Sequence, residues 1–221
     1  MHHKLYSGTR NASSWTMRAW LALKEQGIAF EECEVDIRKP QRVANLAQIA
    51  TFSAPGAVPV LVAGEAVIYD SLAIMEYAND AGDGTLLPAD PVRRAQVRSM
   101  LSWQHSGLSQ LCWRLSFESA FYPDKRAMLP DELEEAGRLF DVWEGALRDS
   151  GGPYLAGALS LADLAFVPTV LRILSHWRGA APVHWPLSWA WSERLLARPA
   201  VEQWLGQARE LPVVWLDNYL A

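Results

Sequence analysis

The sequence predicts two domains, a mixed α/β domain at the N-terminus and an all-helical domain at the C-terminus. Over residues 1–80, short strand patterns alternate with helix patterns and close with a hairpin, which is typical of a small mixed sheet covered by helices. Residues 81–90 interrupt both patterns with two glycines and a proline, which indicates a linker. Residues 91–221 contain no strand pattern and are therefore predicted to be helical.

The elements of the first domain follow the order β-α-β-α-β-β-α. Its strands are predicted at residues 4–8, 29–36, 58–62 and 66–69. Its helices, in which apolar residues recur every three or four positions, are predicted at residues 14–26, 40–49 and 71–79. In the second domain one long helix is predicted over 91–120, followed by helices at 131–149, after Ser160, at 188–197 and at 199–209.

Composition and charge exclude several classes of function. The chain has 221 residues, a net charge of −5 and no basic stripe that would bind nucleic acid. Cys33 and Cys112 lie far apart and form no paired motif, which predicts a reducing compartment. The N-terminus lacks the apolar segment of a signal peptide, and no apolar run is long enough for a membrane span, so a cytoplasmic protein is predicted. His2 and His3 have no further ligands nearby in sequence, so no metal site is predicted.

The first candidate for chemistry is Ser13, which opens the segment Ser-Ser-Trp-Thr between the first strand and the first helix. A helix N-terminus carries partial positive charge and unpaired N–H groups, so it stabilises an anion. A serine hydroxyl at that place can donate a hydrogen bond to a thiolate. Serine is also a common N-cap, and the local sequence alone favours this structural role. Ser14 is an alternative donor, and Asn11 is a weaker one.

Two further segments have the chemistry to bind a peptide. Pro59 stands at the start of a strand, and a cis bond before it would turn the Val58 backbone outward to pair with a ligand. An ordinary trans proline at a strand start is the alternative. Asp70 and Ser71 stand at the next strand-to-helix junction, where they can hold the amine and the carboxylate of an amino-acid head group. They can equally serve as a helix cap.

One serine is predicted to be structural. Ser160 and Asp163 have the spacing of a capping box at the start of the central helix of the second domain. This segment is predicted to start the helix without contacting substrate. The eleven tryptophans are interpreted in the same way, because packing between helices explains any single one of them better than a ligand pocket does.

Together, in this order and spacing, these segments resemble the glutathione S-transferase superfamily over nearly the whole chain. Residues 13–18 are similar to the serine-type pattern of the zeta and tau classes. Residues 55–61 resemble the segment with the family's cis-proline, residues 70–74 its acid-serine site, and residues 160–163 its capping box. The resemblance implies a thioredoxin-like N-terminal domain and an all-helical C-terminal domain.

The resemblance also implies a reaction. The chain would be a glutathione transferase in which Ser13 activates the thiol of glutathione, its co-substrate, for attack on a small apolar electrophile. Val58 would pair through its backbone with the cysteinyl part of glutathione, and Pro59 would be cis. Asp70 and Ser71 would hold the γ-glutamyl amine and carboxylate. The resemblance implies a homodimer, with no nucleic-acid or membrane partner.

The acceptor pocket is implied to draw largely on the second domain. Trp15 lies beside the proposed thiol, and His105, Trp113 and Phe117 on the predicted long helix are candidates to line the pocket. For each of these side chains core packing is the favoured alternative, since most large apolar residues on helices are buried in the core.

The sequence departs from the family pattern at Ala57, where many relatives carry a polar or basic residue. The glycyl carboxylate of glutathione would then depend on another group, for which Lys39, Gln41 and Arg42 are nearby candidates. Two alternative functions stay open: a glutathione-dependent isomerase of a small organic acid, as in the zeta class, and a non-catalytic protein that binds glutathione or another ligand. A thiol–disulfide oxidoreductase is disfavoured, because the first helix begins without a cysteine.

Overall fold

The computed structural model describes residues 1–180, 183–216 and 219. The chain forms two compact units. The first comprises Met1–Gly84 and Gln203–Val214, and the second comprises Thr85–Glu202 with the described part of Trp215–Ala221. The sequence predicts two contiguous domains, whereas in the structure the segment 203–214 belongs to the first unit.

The first unit is built on a four-stranded mixed sheet. Its strands are β1 (His3–Gly8), β2 (Glu31–Val35), β3 (Val60–Ala63) and β4 (Ala66–Tyr69). The order across the sheet is β2-β1-β3-β4, in which β1 runs parallel to β2 and antiparallel to β3. The hairpin of β3 and β4 turns at Gly64, whose φ of +61° lies in the left-handed region that favours glycine.

Three helices complete the contiguous part of this unit. They are α1 (Ser14–Glu25), α2 (Arg42–Ala50) and α3 (Ser71–Ala81). Met17, Trp20 and Leu21 of α1 are completely or almost completely buried, and α1 packs against α3 and β1. Helix α2 buries only Ile49 among its residues. All the predicted elements of this region are present, with ends shifted by no more than two residues.

The regular elements of the second unit are all helices in its described part, and loops connect them. Its elements are α4 (Pro91–Gly107), α5 (Ser109–Arg114), a 3₁₀ helix (Glu118–Phe121), α6 (Pro130–Ser150), α7 (Leu161–His176), α8 (Pro186–Leu196) and the start of α9 (Pro199–Arg209). The mixed sheet followed by helices confirms the predicted fold class. No helix in the described part of the chain combines the length and the apolar character that crossing a bilayer requires.

The prediction of one unbroken helix over 91–120 was wrong. Helix α4 ends at Gly107, α5 ends at Arg114, and Leu115 leaves the helix with φ −96° and ψ +78°. Glycine and serine at the first break have low helix propensity. Leu108 and Leu115 are 4% and 0% exposed, so the broken path keeps both in the core. Burial in the tertiary structure therefore outweighs the helical periodicity of this stretch.

Aromatic side chains fill the core of the second unit. Trp143 lies 5.2 Å from Phe166 and 4.9 Å from Trp191 between ring centroids, and Phe140 lies 5.4 Å from Trp143. All four side chains are fully buried. For these tryptophans the expectation of core packing is confirmed.

The capping box at the start of α7 is also confirmed. Asp163 accepts hydrogen bonds from the backbone N–H and the hydroxyl of Ser160 at 2.8 and 2.6 Å. Its other oxygen accepts from the N–H of Leu155 at 3.0 Å and from the indole of Trp191 at 2.8 Å. Burial raises the pKa of Asp163, and these hydrogen bonds oppose that shift. The box therefore ties the helix start to a loop and to the aromatic core.

Candidate functional site

Segments from three strands meet at one end of the sheet of the first unit. A row of paired residues, Tyr6, Val60 and Tyr69, crosses β1, β3 and β4 close to this end. Neighbouring strands lie about 4.8 Å apart, so β1 and β4 are separated by about 10 Å, the length of a short extended peptide. The residues that lie just beyond this row include most of the predicted ligand-binding set: Ser13, Val58, Pro59, Asp70 and Ser71.

Ser13 is the N-cap of α1 and is 3% exposed. Its Oγ accepts a hydrogen bond from the backbone N–H of Thr16 at 3.3 Å and lies 2.8 Å from Thr16 Oγ1. Thr16 Oγ1 in turn accepts from the backbone N–H of Gly8 at 3.0 Å. A short chain of hydrogen bonds thus links the end of β1, Thr16 and Ser13.

Gly8 allows the closest approach of the chain in this region. A Cβ atom placed on Gly8 would lie 2.8 Å from Ser13 Cβ and 2.9 Å from Ser13 Oγ. It would also lie 2.9 Å from Cγ2 of Val58, so the hydroxyl of Ser13 and the side chain of Val58 flank one point in space. Any side chain at this position would displace one of them, which explains the glycine at the end of β1.

The bond between Val58 and Pro59 is cis, as the resemblance implied. Pro59 is buried and Val58 is half-buried. The ladder between β1 and β3 begins at Val60, so Val58 precedes the paired part of its strand. A second cis bond joins Lys39 to Pro40.

Asp70 has an unusual backbone conformation at the start of α3. Its φ is +74°, and it is the one non-glycine residue with positive φ in the described part of the chain. Its carboxylate accepts a hydrogen bond from the N–H of Leu72 at 2.7 Å, so the capping role expected as the alternative is present. Strained backbone of this kind persists where the surrounding structure over-determines it and is concentrated at ligand-binding sites. The adjacent Ser71 is 2% exposed.

The electrostatics at this end of the sheet favour an anion. Helices α1 and α3 both begin here, and their N-termini carry partial positive charge.

A negative side chain lies next to the loop that follows β1, where the hydroxyl of Thr9 donates a hydrogen bond to Asp36 at 3.2 Å. Hydrogen bonds from the Arg38 side chain lower the pKa of Asp36 to about 2. Asp36 is therefore ionised at neutral pH and its charge is compensated by Arg38.

Comparison with known protein families shows to which family the chain is related. Residues 12–81 match the family "Glutathione S-transferase, N-terminal domain", and residues 101–199 match "Glutathione S-transferase, C-terminal domain". The chain is 32% identical over 168 residues to maleylacetoacetate isomerase of Mus musculus, a match that covers 75% of this chain and 76% of the relative. It is 34% identical over 161 residues to glutathione S-transferase F10 of Arabidopsis thaliana, covering 68% and 73%.

The chain belongs to the glutathione S-transferase superfamily. The predicted family and enzyme class are thereby confirmed. Among solved structures, a glutathione transferase homologue from Burkholderia with bound glutathione is similar, with 25% identity, a TM-score of 0.66 and coverage of 96% of this chain and 100% of that one. A theta-class glutathione S-transferase from Xanthomonas axonopodis shares the fold, with a TM-score of 0.74, 24% identity and coverage of 91% and 95%.

The predicted acceptor-pocket residues of this glutathione S-transferase lie in different surroundings. Trp15 is on the first turn of α1, is 41% exposed, and has the guanidinium of Arg18 4.2 Å from its ring centroid. In the second unit, Trp113 of α5 is 73% exposed, and His105 near the end of α4 is half-buried. An exposed or half-exposed side chain is available to a ligand, so these three stay candidates.

Phe117 is different, because it is only 2% exposed. Its ring lies 5.3 Å from that of Phe121 and 5.4 Å from the guanidinium of Arg172. It lies in the turn before the 3₁₀ helix and not on the predicted long helix, and it occupies the core of the second unit.

Sequence reasoning missed the partners that hold Ser13. Thr16 was noted only as part of a motif, although a hydroxyl residue three positions after the N-cap is a visible signal of a side-chain contact across the first helical turn. Arg10 and Asn11 contact the segment 203–214, and a separation of about 200 residues leaves no local signal. Among the described residues, no group of three or more histidine, cysteine or acidic side chains is placed to hold a metal ion.

Proposed function

We propose that this glutathione S-transferase binds glutathione across the end of the sheet and that Ser13 donates a hydrogen bond to the glutathione sulfur. The observation that carries the proposal is the bonding of Ser13. Its oxygen accepts from the Thr16 backbone N–H, and the Thr16 hydroxyl, which accepts from Gly8, has its own proton to give to Ser13. When the Ser13 oxygen accepts both of these hydrogen bonds, its own O–H group remains available to donate to an anion.

The rest of the tripeptide is held by groups at the same end of the sheet. The Val58 backbone, ahead of the first ladder pair of β3, pairs with the cysteinyl residue of glutathione. Asp70 and Ser71 take the γ-glutamyl amine and carboxylate, with the N-terminus of α3 adding favourable charge for the carboxylate. The strained backbone of Asp70 supports a ligand role at this position, since a cap alone does not require positive φ.

The free energy needed to lower the pKa of the glutathione thiol is of the size that one hydrogen-bond donor and one helix N-terminus can provide. An ordinary cysteine thiol has a pKa of about 8.5. Lowering it by about two units requires roughly 2.7 kcal/mol of preferential binding of the thiolate. A hydrogen bond to a charged group contributes about 1.5–3 kcal/mol and a helix N-terminus about 0.3–1 kcal/mol. One hydrogen bond from Ser13, together with the N-terminus of α1, therefore matches the required stabilisation in scale.

The acceptor is proposed to be a small apolar electrophile. Trp15 supports this proposal, because it follows Ser13 by two residues and leaves 41% of its surface exposed. In the second unit, Trp113 and His105 are accessible to a ligand, whereas Phe117 lies in the core. Localisation in the cytoplasm stays a prediction from the sequence.

The test is the variant Ser13→Ala, with Ser14→Ala as the matched control. For Ser13→Ala, turnover of an activated aromatic chloride at neutral pH is expected to fall roughly 10²-fold, the usual cost of losing one donor to a developing anion. Affinity for glutathione, measured calorimetrically, should stay within several-fold, because the peptide contacts are intact. Unchanged turnover in Ser13→Ala, or an equal loss in Ser14→Ala, contradicts the assignment.

An isomerase is the second candidate, and the relationship to the mouse maleylacetoacetate isomerase favours it. The same thiolate would act on a small unsaturated acid, so the reaction needs no other change in the site. Assay of maleylacetoacetate and a panel of electrophiles with glutathione separates the two reactions. Tight binding of glutathione with no turnover of either kind would instead indicate a ligand-binding protein.

We also propose that the protein is a homodimer, as the family resemblance implies. The second unit carries a cleft of about 640 Å³ between α4 and α6. Exposed apolar residues lie on the same two helices, among them Val92 at 66% and Val142 at 43%, and Val142 lines the cleft. Sedimentation velocity on the wild-type protein and on Val142→Asp tests this surface. A monomeric wild type, or a dimer that is insensitive to Val142→Asp, counts against it.

A further inference from the structure

The loop that carries Ser13 is attached to the C-terminal part of the first unit. The indole N–H of Trp204 donates to the backbone carbonyl of Arg10 at 3.2 Å. The side-chain amide of Asn11 donates to the backbone carbonyl of Pro212 at 2.9 Å. Both partners come from the segment 203–214, which is separated from the loop by about 200 residues and yet belongs to the same compact unit.

Asn11 lies inside a closed turn that ends at Ser13. The backbone N–H groups of Ala12 and Ser13 both donate to the carbonyl of Thr9 at 2.9 Å. Asn11 is 1% exposed, so its amide reaches Pro212 from a fully buried position. Because these two hydrogen bonds close the turn around Asn11, a displacement of Asn11 moves Ser13 with it.

Arg10 provides the second attachment. Its guanidinium lies 4.6 Å from the ring centroid of Trp204 and 5.5 Å from that of Trp20, and it pairs with Glu32 at 2.5 Å. Trp204 is fully buried, and Trp20 also donates to Glu32, at 3.2 Å. The loop is therefore held from the side of the sheet and from the side of the C-terminal segment.

The position of Ser13 has little tolerance. The approach of Gly8 leaves no room for even a methyl group beside the Ser13 hydroxyl. Hydrogen bonds weaken steeply with distance and angle, so a shift of a few tenths of an ångström changes the stabilisation of an anion by this hydroxyl. In the part of the chain that the structure describes, the Ser13 hydroxyl hydrogen-bonds with Thr16, which lies on the helix that Ser13 caps and cannot fix the loop.

We infer that Asn11 is a positioning residue for thiol activation, which holds Ser13 in place through the carbonyl of Pro212, and that Trp204 acts in the same way through Arg10. The inference rests on the proposed function of Ser13. It makes the segment 203–212, distant in sequence from the thiol site, a determinant of the acidity of bound glutathione. Affinity for glutathione depends on other contacts and is not determined by this segment.

The experiment measures the pKa of the glutathione thiol in the complex, from its ultraviolet thiolate absorbance as a function of pH. In Asn11→Ala this pKa is expected to rise by about 0.5–1 unit, which corresponds to a loss of roughly 3–10-fold in turnover at neutral pH. The dissociation constant of glutathione should change by less than about threefold, because the contacts of Val58, Asp70 and Ser71 remain. Trp204→Phe, which keeps the ring and removes the N–H donor, should shift the pKa in the same direction.

Trp185→Phe is the matched control, because it removes an indole hydrogen bond to Asp141 in the second unit. Its bound thiol should keep the wild-type pKa. If Asn11→Ala does not fold, the pKa of the bound thiol in Trp204→Phe tests the inference. A wild-type pKa in Trp204→Phe overturns it. A shift in Asn11→Ala alone would mean that Asn11 contacts the sulfur directly, which also overturns it.

Ser13→Ala separates this inference from the proposed function. If Ser13→Ala raises the pKa of the bound thiol while Asn11→Ala and Trp204→Phe do not, only the positioning role is wrong. If Ser13→Ala leaves this pKa unchanged, the proposed function itself fails.

Discussion

Two helices of this protein, α1 in the first unit and α7 in the second, begin directly after a buried serine, and the two serines use their hydroxyl groups differently. Three residues after Ser160 stands Asp163, whose carboxylate accepts the Ser160 proton at 2.6 Å. Three residues after Ser13 stands Thr16, whose hydroxyl lies 2.8 Å away and can donate as well as accept. The residue at this third helical position therefore sets which hydrogen bonds are open to the serine: a carboxylate can only accept, whereas a hydroxyl can also donate.

Similar local sequences at the two helix starts therefore form different hydrogen bonds. A carboxylate at the third position makes a closed cap, since it accepts every proton that the serine offers. A hydroxyl at the third position can donate to the serine oxygen, and in the proposed function this leaves the serine proton for a ligand. The start of α7 is thus suited to stability, and the start of α1 is suited to binding an anion.

The largest effect is expected where the closed cap is broken. Asp163→Ala leaves the donors of Leu155, Ser160 and Trp191 without their acceptor in the core, and the loss of unfolding free energy should be roughly 3–5 kcal/mol. Urea unfolding measures it. Asp149→Ala, at an exposed acid of α6, is the control and should stay within about 0.5 kcal/mol of the wild type. Equal stability of the two variants would show that the box is dispensable.

The second prediction converts the open cap into a closed one. Thr16→Asp places a carboxylate next to Ser13, where it should take the Ser13 proton and repel a thiolate, and turnover with glutathione should fall roughly 10²-fold. Steady-state kinetics measures the loss. Thr16→Ser keeps the hydroxyl and should keep turnover within a few-fold of the wild type. Equal activity of Thr16→Asp and Thr16→Ser would remove the distinction between the two caps.

The third prediction concerns the space beside the open cap. Gly8→Ala puts a methyl group within 2.9 Å of Ser13 and Val58, so stability should fall by about 1–3 kcal/mol and turnover should fall with it. Gly145→Ala in α6 is the control, because a Cβ there meets no atom within 4 Å. Thermal unfolding and turnover are measured on both variants. A Gly8→Ala protein as active and stable as Gly145→Ala would contradict the tight approach.

The smallest effect is expected at the acids that accompany the two caps, which titrate in opposite directions. The folded-state pKa of Asp36 is about 2, below its ordinary value of 3.8, so its contribution to stability is present above pH 3.8 and is lost as pH falls towards 2. Asp163 has a raised pKa and does not lose stability in that way. Asp36→Asn should therefore flatten the acid limb of the stability curve by less than about 1 kcal/mol, because the pair is partly solvated. An acid limb identical to that of the wild type would exclude this role.

The predictability of the fold differs between the two units for a physical reason. In the first unit, strand alternation, the glycine in the hairpin and the helical spacing after Ser13 are local signals, and every predicted element is present. In the second unit, the helical signal of 91–120 continued across Gly107, but burial of Leu108 and Leu115 required breaks. Propensity is a weak prior, and it gives way where the core demands another path.

Local sequence was sufficient to predict the order of the elements in the first unit, the capping box at Ser160 and the resemblance on which Ser13, Val58, Asp70 and Ser71 were chosen. These features depend on residues close together in the chain. The tertiary structure was needed to show that Phe117 lies in the core and that Trp204 and Pro212 hold the loop before α1. Such contacts join residues far apart in sequence, so no local pattern encodes them.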